Sequence, residues 1–163
     1  MGDRVRLHRP ETLDVVTSPN IFIRSLAARE IWKGVTRETP AILAAFRHAL
    51  YDTIFLESVG VGQYDLGFNE HGDTMVLVVH PDMGDEIQMM KGGLIETADV
   101  IVVNKSDRPG ADTTVSLLKH FFAQTRKDGW RVPVVRTVAS PGRKEGIEEL
   151  WQAIESHREF LKK

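Results

Sequence analysis

The sequence predicts an α/β fold, a mostly parallel sheet flanked by helices. Three observations predict it. Short β-branched apolar runs recur at 53–56, 74–79, 100–103 and 132–138. Stretches with helical periodicity separate them, and a polar cluster follows several of the runs directly. Strands that alternate with helices imply βαβ units, hence parallel pairing with helices on both faces. In such open sheets ligands bind beyond the carboxyl ends of the strands.

Residues 1–37 are basic and irregular, with seven Lys or Arg against four Asp or Glu, and 21–23 reads as a short strand. Thr39-Pro40 opens a helix, with threonine as N-cap and proline first inside, and Ile42, Phe46, Ala49 and Leu50 as its buried stripe. The run 53–56 is a strand that ends at Glu57-Ser58-Val59-Gly60-Val61-Gly62-Gln63, and 74–79 is a strand that ends at His80-Pro81-Asp82. A helix is expected over 85–98. The run 100–103, apolar throughout, reads as a strand buried on both faces. Asp112 caps a helix that runs to Lys127, with Gly129 just past its end. The segment 132–138 is a strand broken at its start by Pro133, and a last helix carries Ile147, Leu150, Trp151, Ile154 and Leu161 on one face.

Length and composition bound the function. At 163 residues the chain fits one domain, taken here as 1–163. A net charge of −2 predicts neither nucleic-acid nor membrane binding. The absence of cysteine excludes disulfides, thiolate metal sites and a cysteine nucleophile, and fits a cytoplasmic protein. No apolar run approaches the roughly 18 residues of a membrane span, and the N-terminus carries no signal-peptide core.

The most informative stretch is Asn104-Lys105-Ser106-Asp107, directly after the buried strand. A guanine base presents two donors side by side, its ring N–H and its exocyclic amine, and one carboxylate accepts both. Asp107 is placed to do so. Adenine offers an acceptor and a donor on that edge and is repelled. A site built to hydrogen-bond its ligand can reject an analogue by about 10⁴–10⁵. Lys105 can lay its alkyl stem over the base and Asn104 can brace the loop. The same four residues also fit a solvated turn after a strand.

Glu57-Ser58-Val59-Gly60 looks like a phosphate-end motif. A carboxylate at a strand tip suits a magnesium shell, because Mg²⁺ prefers few protein carboxylates and several waters. Gly60 lets a backbone N–H approach a terminal phosphate, and Gln63 can orient an attacking water. A glycine-rich turn with a solvated glutamate is the plain alternative. A dinucleotide-binding fingerprint fails, because Gly-Val-Gly-Gln-Tyr-Asp ends in aspartate. Asp85 and Glu86 suit the start of a helix, whereas Gly92-Gly93 favours a segment that rearranges. The six histidines form no metal-ligand spacing, His80 reads as a core or loop histidine, and no nucleophile elbow supports Ser-His-Asp catalysis.

In order and closely spaced, Glu-Ser-Val-Gly-Val-Gly-Gln, Gly84-Asp-Glu-Ile-Gln, Lys91-Gly, Ile95-Glu-Thr-Ala-Asp and Asn-Lys-Ser-Asp resemble the methylmalonyl-CoA mutase-associated GTPases, the MeaB or ArgK family of P-loop GTPases. The resemblance extends over nearly the whole chain. It implies a P-loop GTPase-like domain that uses GTP or GDP with Mg²⁺. It implies a partner, an adenosylcobalamin-dependent acyl-CoA mutase whose cofactor loading and protection the family serves as chaperone, and a homodimer in the intact family. By resemblance Glu57 stands on the magnesium side and Asp3 is a second magnesium-side or switch residue; Glu57 and, from its own amide chemistry, Gln63 are the candidates that serve hydrolysis. Gly60 contacts the terminal phosphate. Asn104, Lys105 and Asp107 read guanine, with Ala139 in the loop that closes over it. Asp85, Gln88 and Lys91 lie in a switch that communicates with the mutase.

Departures from the family pattern are as telling. No Gly-x-x-x-x-Gly-Lys-[Ser/Thr] occurs in the chain, so the sequence predicts a domain without its first strand and phosphate-binding loop, weakly active or inactive alone. Val138 stands where the family has a small polar residue. Two alternatives are a non-enzymatic mutase-docking module and a nickel-delivery GTPase of the same superfamily, the latter disfavoured by the missing Cys or His ligands.

Overall fold

The computed structural model describes residues 18–24, 26, 35–57, 70–83, 94–123 and 129–163. The chain divides into two compact units, 1–59 and 60–163.

In the first unit, helix α1 (Thr39–His48) is the regular element. Thr39 lies inside the helix rather than capping it. Its Oγ1 accepts the Thr36 N–H at 3.1 Å, so the hydroxyl closes the preceding turn. Thr39 and Leu43 are its buried residues. The expected stripe is only partly realised: Ile42 and Phe46 are half-buried, while Ala49 and Leu50 are exposed and Leu50 takes a φ of 61°. Phe22, Phe46 and Tyr51 form an edge-to-face chain with centroid spacings of 5.5 Å. The residues 21–23 and 53–56, expected as strands, form no ladder among the described residues. An apolar β-branched run signals a wish for burial, but a strand also needs a neighbour to satisfy its backbone, and Phe55 remains 77% exposed.

The second unit is built on a three-stranded parallel sheet, β1 (Val76–Val79), β2 (Val100–Val103) and β3 (Val134–Arg136), in that spatial order. The register pairs Val76 with Val100 and Ile101 with Val134. Helix α2 (Leu94–Thr97) precedes β2, and α3 (Ala111–Ala123) connects β2 to β3. Leu77, Val79, Ile101 and Val103 share a core with Ile95 of α2 and with Val115, Leu118 and Phe122 of α3. Val100 and Val102, on the opposite face of β2, are also buried, as expected for the central strand of a parallel sheet. The expected helix 85–98 is described only as α2, the rest lying outside the described residues.

Two expectations shift by a residue or more. Asp112 does not cap α3 from outside; it sits in the first turn and pairs with Arg136 at the end of β3, at 2.6 Å. The single strand expected over 132–138 becomes β3 followed by an antiparallel hairpin, β4 (Val138–Ser140) and β5 (Arg143–Glu145). Pro141-Gly142 makes its turn, with Gly142 at a φ of 74°. Helix α4 (Ile147–Phe160) follows and lies against β2 and β3. Its buried residue is His157, whereas Ile147, Trp151 and Leu161 of the expected apolar face stay 44%, 38% and 53% exposed.

Candidate functional site

The carboxyl edge of the sheet gathers the loop after β2 and the hairpin after β3. Burial of all four β2 residues fixes the strand, so the chain leaves it at Asn104 with little freedom. The Asn104 backbone N–H continues the ladder by donating to the Val79 carbonyl at 2.8 Å. Its side chain turns the other way. Asn104 Oδ1 accepts the Ala139 N–H and the Thr137 hydroxyl, each at 3.2 Å. Lys105 takes a φ of 55°, which turns the chain sharply back. Ser106 locks this turn: its hydroxyl donates to the Val103 carbonyl at 2.6 Å and its N–H to the Thr137 carbonyl at 3.1 Å.

The loop therefore ends with Asp107 on a backbone tied at several points to its neighbours. Its carboxylate is 36% exposed and lies 3.5 Å from Arg143 Nη1. Arg143 is itself held side-on by Glu145, Nε to Oε1 at 2.6 Å and Nη2 to Oε2 at 3.1 Å. The hydrogen bond to Glu145 raises the guanidinium's already high pKa, and the same bond lowers that of Glu145. On the other side, Arg108 bonds Asp82 at 2.9 Å and so links this loop to the one after β1. His80, half-buried in that loop, lies 3.6 Å from Asp82.

Four residues singled out from the sequence thus come together: Asn104, Lys105, Asp107 and Ala139. Glu57 is exposed at the end of the stretch 53–57 in the first unit. Asp3, Gly60, Gln63, Asp85, Gln88 and Lys91 lie outside the described residues. Sequence reasoning assigned no role to Thr137, Ser106, Arg143 or Gly146. The signal for the hairpin was present in Ser140-Pro141-Gly142, a turn dipeptide flanked by residues able to pair. Gly146 takes a φ of 70°, and a Cβ built there would stand 1.8 Å from the Arg136 carbonyl oxygen. Only glycine fits.

No group of three His, Cys, Asp or Glu able to hold a metal occurs among the described residues. Glu57 has the chemistry of a magnesium-side ligand, since Mg²⁺ is commonly held by one or two carboxylates, with waters and substrate phosphates completing the shell. No helix among the described residues is long and apolar enough to cross a membrane.

A parallel sheet with an Asn-Lys-x-Asp loop at its carboxyl edge, hydrogen-bonded to the segment after the next strand, has the form of a P-loop GTPase-like domain. Comparison with known proteins agrees and narrows the class. The family model for methylmalonyl-CoA mutase-associated GTPase MeaB matches residues 1–163, and the chain belongs to that family. It is 41% identical to a putative GTPase of Pyrococcus abyssi over all of this chain and 49% of that protein. It is 35% identical to the mouse mitochondrial methylmalonic aciduria type A homolog, over 98% of this chain and 37% of that protein. It is 32% identical to a fused isobutyryl-CoA mutase of Cupriavidus metallidurans, over 94% of this chain and 14% of that protein. The chain spans about half the length of the first curated relatives it matches.

Proposed function

We propose that residues 104–107 and the β4–β5 hairpin form the guanine-reading site of a GTP-hydrolysing protein that acts as chaperone for an adenosylcobalamin-dependent acyl-CoA mutase. The observation that carries the reading is the double grip of Asn104, backbone to β1 and side chain to Ala139. It holds the loop that carries Asp107 against the Ala139 segment, at the carboxyl edge of the sheet. Asp107 accepts the two donors of guanine, Lys105 covers the base face, and the Ala139 segment closes over the base.

Residues 1–163 are read as part of one GTPase domain. On the phosphate side, Gly60 faces the terminal phosphate and Glu57 and Asp3 stand by the magnesium shell. Gln63, with Glu57, orients the water for in-line attack. Mg²⁺ would supply charge neutralisation on the phosphates. Asp85, Gln88 and Lys91 couple nucleotide state to the mutase. The fusion of a relative to isobutyryl-CoA mutase and the name of the methylmalonic aciduria relative support a mutase partner. A cytoplasmic location belongs to the same reading, as does a homodimer for the intact family.

Titration with GDP, GTP and ATP, with and without Mg²⁺, tests it. Guanine-selective binding abolished by Asp107→Asn is expected. Equal affinity for guanine and adenine nucleotides in a folded sample would sink the reading.

A further inference from the structure

Arg143 lies outside the four residues that signal a guanine site, yet it makes a side-chain ion pair with the reader itself. Its position on β5 puts it on the same face as Glu145, two residues on, because side chains alternate along a strand. Glu145 uses both its oxygens on the Nε and Nη2 of Arg143. The planar fork is thereby fixed in orientation, as a carboxylate fixes an arginine and cannot fix a lysine. One corner, Nη1, is left over, and it points its charge at Asp107 Oδ2 from 3.5 Å.

We infer that Arg143, held by Glu145, is a positioning residue for base specificity: it aims the Asp107 carboxylate and ties the hairpin to the base-reading loop. The inference rests on Asp107 reading guanine.

The distances fit such a role. At 3.5 Å the contact is a charge pairing rather than a short hydrogen bond, and a carboxylate offers about four lone-pair sites. Asp107 can keep the Arg143 corner and still accept both donors of a guanine. Arg143 also separates two carboxylates. The charge of Asp107 acts against ionisation of Glu145, so removing the guanidinium leaves β5 and the base-reading loop repelling one another. The remaining ties between loop and hairpin segment, at Asn104 and Ser106, hold the backbone near 137–139 and do not reach the Asp107 side chain.

A merely structural tie would weaken all nucleotides alike, whereas an aiming role acts on the donors that Asp107 accepts. Hypoxanthine lacks guanine's exocyclic amine and gives Asp107 one donor instead of two. The test is therefore the ratio of IDP to GDP dissociation constants for the wild-type chain, Arg143→Ala, Arg143→Lys and Asp107→Asn, with far-UV circular dichroism as the check on folding. Arg143→Ala is expected to weaken GDP by roughly two- to fivefold, the range of an exposed ion pair, while leaving IDP less affected, so the ratio shrinks. Arg143→Lys keeps the charge without the fork and should recover only part of the ratio. An Arg143→Ala ratio equal to the wild type's, with folding intact, overturns the positioning role. Failure of the underlying reading looks different: wild type would bind IDP and GDP equally, and Asp107→Asn would change neither.

Discussion

Asn104 Oδ1 accepts the backbone N–H of Ala139 at 3.2 Å. Through that contact one side chain, together with the Ser106 N–H on the Thr137 carbonyl, sets how far the segment after β3 stands from the loop after β2. The Thr137 hydroxyl, on a residue only 2% exposed, donates to the same oxygen. Replacing Asn104 by alanine leaves that hydroxyl without this acceptor. The expected cost is about 1–3 kcal/mol of stability, with guanine-nucleotide affinity falling about tenfold or more as the two loops part. Chemical denaturation and isothermal titration of Asn104→Ala check both. An affinity that survives unchanged would mean the loop spacing does not matter to the base.

Gly146 is the second fixed point. It combines a φ of 70° with a backbone approach that leaves no room for a side chain. Alanine there must distort the junction between β5 and α4, at an expected cost of more than about 1–3 kcal/mol. Gly142 has a similar φ of 74° but nothing within 4 Å of a built Cβ. Gly142→Ala should therefore cost only the strain of the turn, about 1 kcal/mol. Comparing the two melting temperatures separates crowding from conformation.

At the opposite edge of the sheet a polar cluster anchors α4. His157 Nδ1 lies 2.9 Å from Thr74 Oγ1, and Nε2 lies 3.6 Å from Asp99 Oδ1, while Asp99 Oδ2 accepts the Met75 N–H at 2.8 Å. Trp130 donates its indole N–H to the Asp99 carbonyl at 2.8 Å and packs on the His157 ring. His157→Ala removes a buried ring and its contacts, with an expected loss of about 2–4 kcal/mol. Because Asp99 precedes β2 and Asn104 follows it, nucleotide affinity of the folded protein should stay within about twofold, as distant sites add independently. Urea denaturation with a nucleotide titration of the folded variant distinguishes this anchor from a ligand site.

Much of this arrangement was legible in the residues. The run 100–103 announced a strand buried on both faces, and all four of its residues are buried. The polar cluster after it sits at the carboxyl edge, where a parallel sheet exposes its loops. What escaped were features set by partners distant in sequence. The stretch 53–56 has strand composition but no ladder among the described residues, since composition carries no information about a neighbour. The α4 stripe has helical period, yet Ile147 and Trp151 remain exposed, because burial depends on what lies opposite. Arg143 was invisible as a site residue because its partners Asp107 and Glu145 meet it only when the hairpin folds.

That hairpin contact also has a pH signature. The hydrogen bond from Arg143 holds the Glu145 carboxyl below the ordinary 4.5 of a glutamate, with burial and Asp107 opposing. A depressed carboxylate pKa contributes to the folded hairpin above the ordinary value and loses that contribution as pH falls through the depressed one. The side-on pairing should therefore persist from neutral pH down to about pH 5 and break only in more acid solution. Carbon-13 NMR titration of the Glu145 carboxyl should show a midpoint below 4.5 in the wild type. In Arg143→Ala the midpoint should rise to the ordinary value or above it, because the Asp107 charge then acts unopposed. The same titration should leave the IDP-to-GDP ratio flat between about pH 7 and 5. A ratio that changes across that interval would place the sensitive group elsewhere than in the Arg143–Glu145 pair.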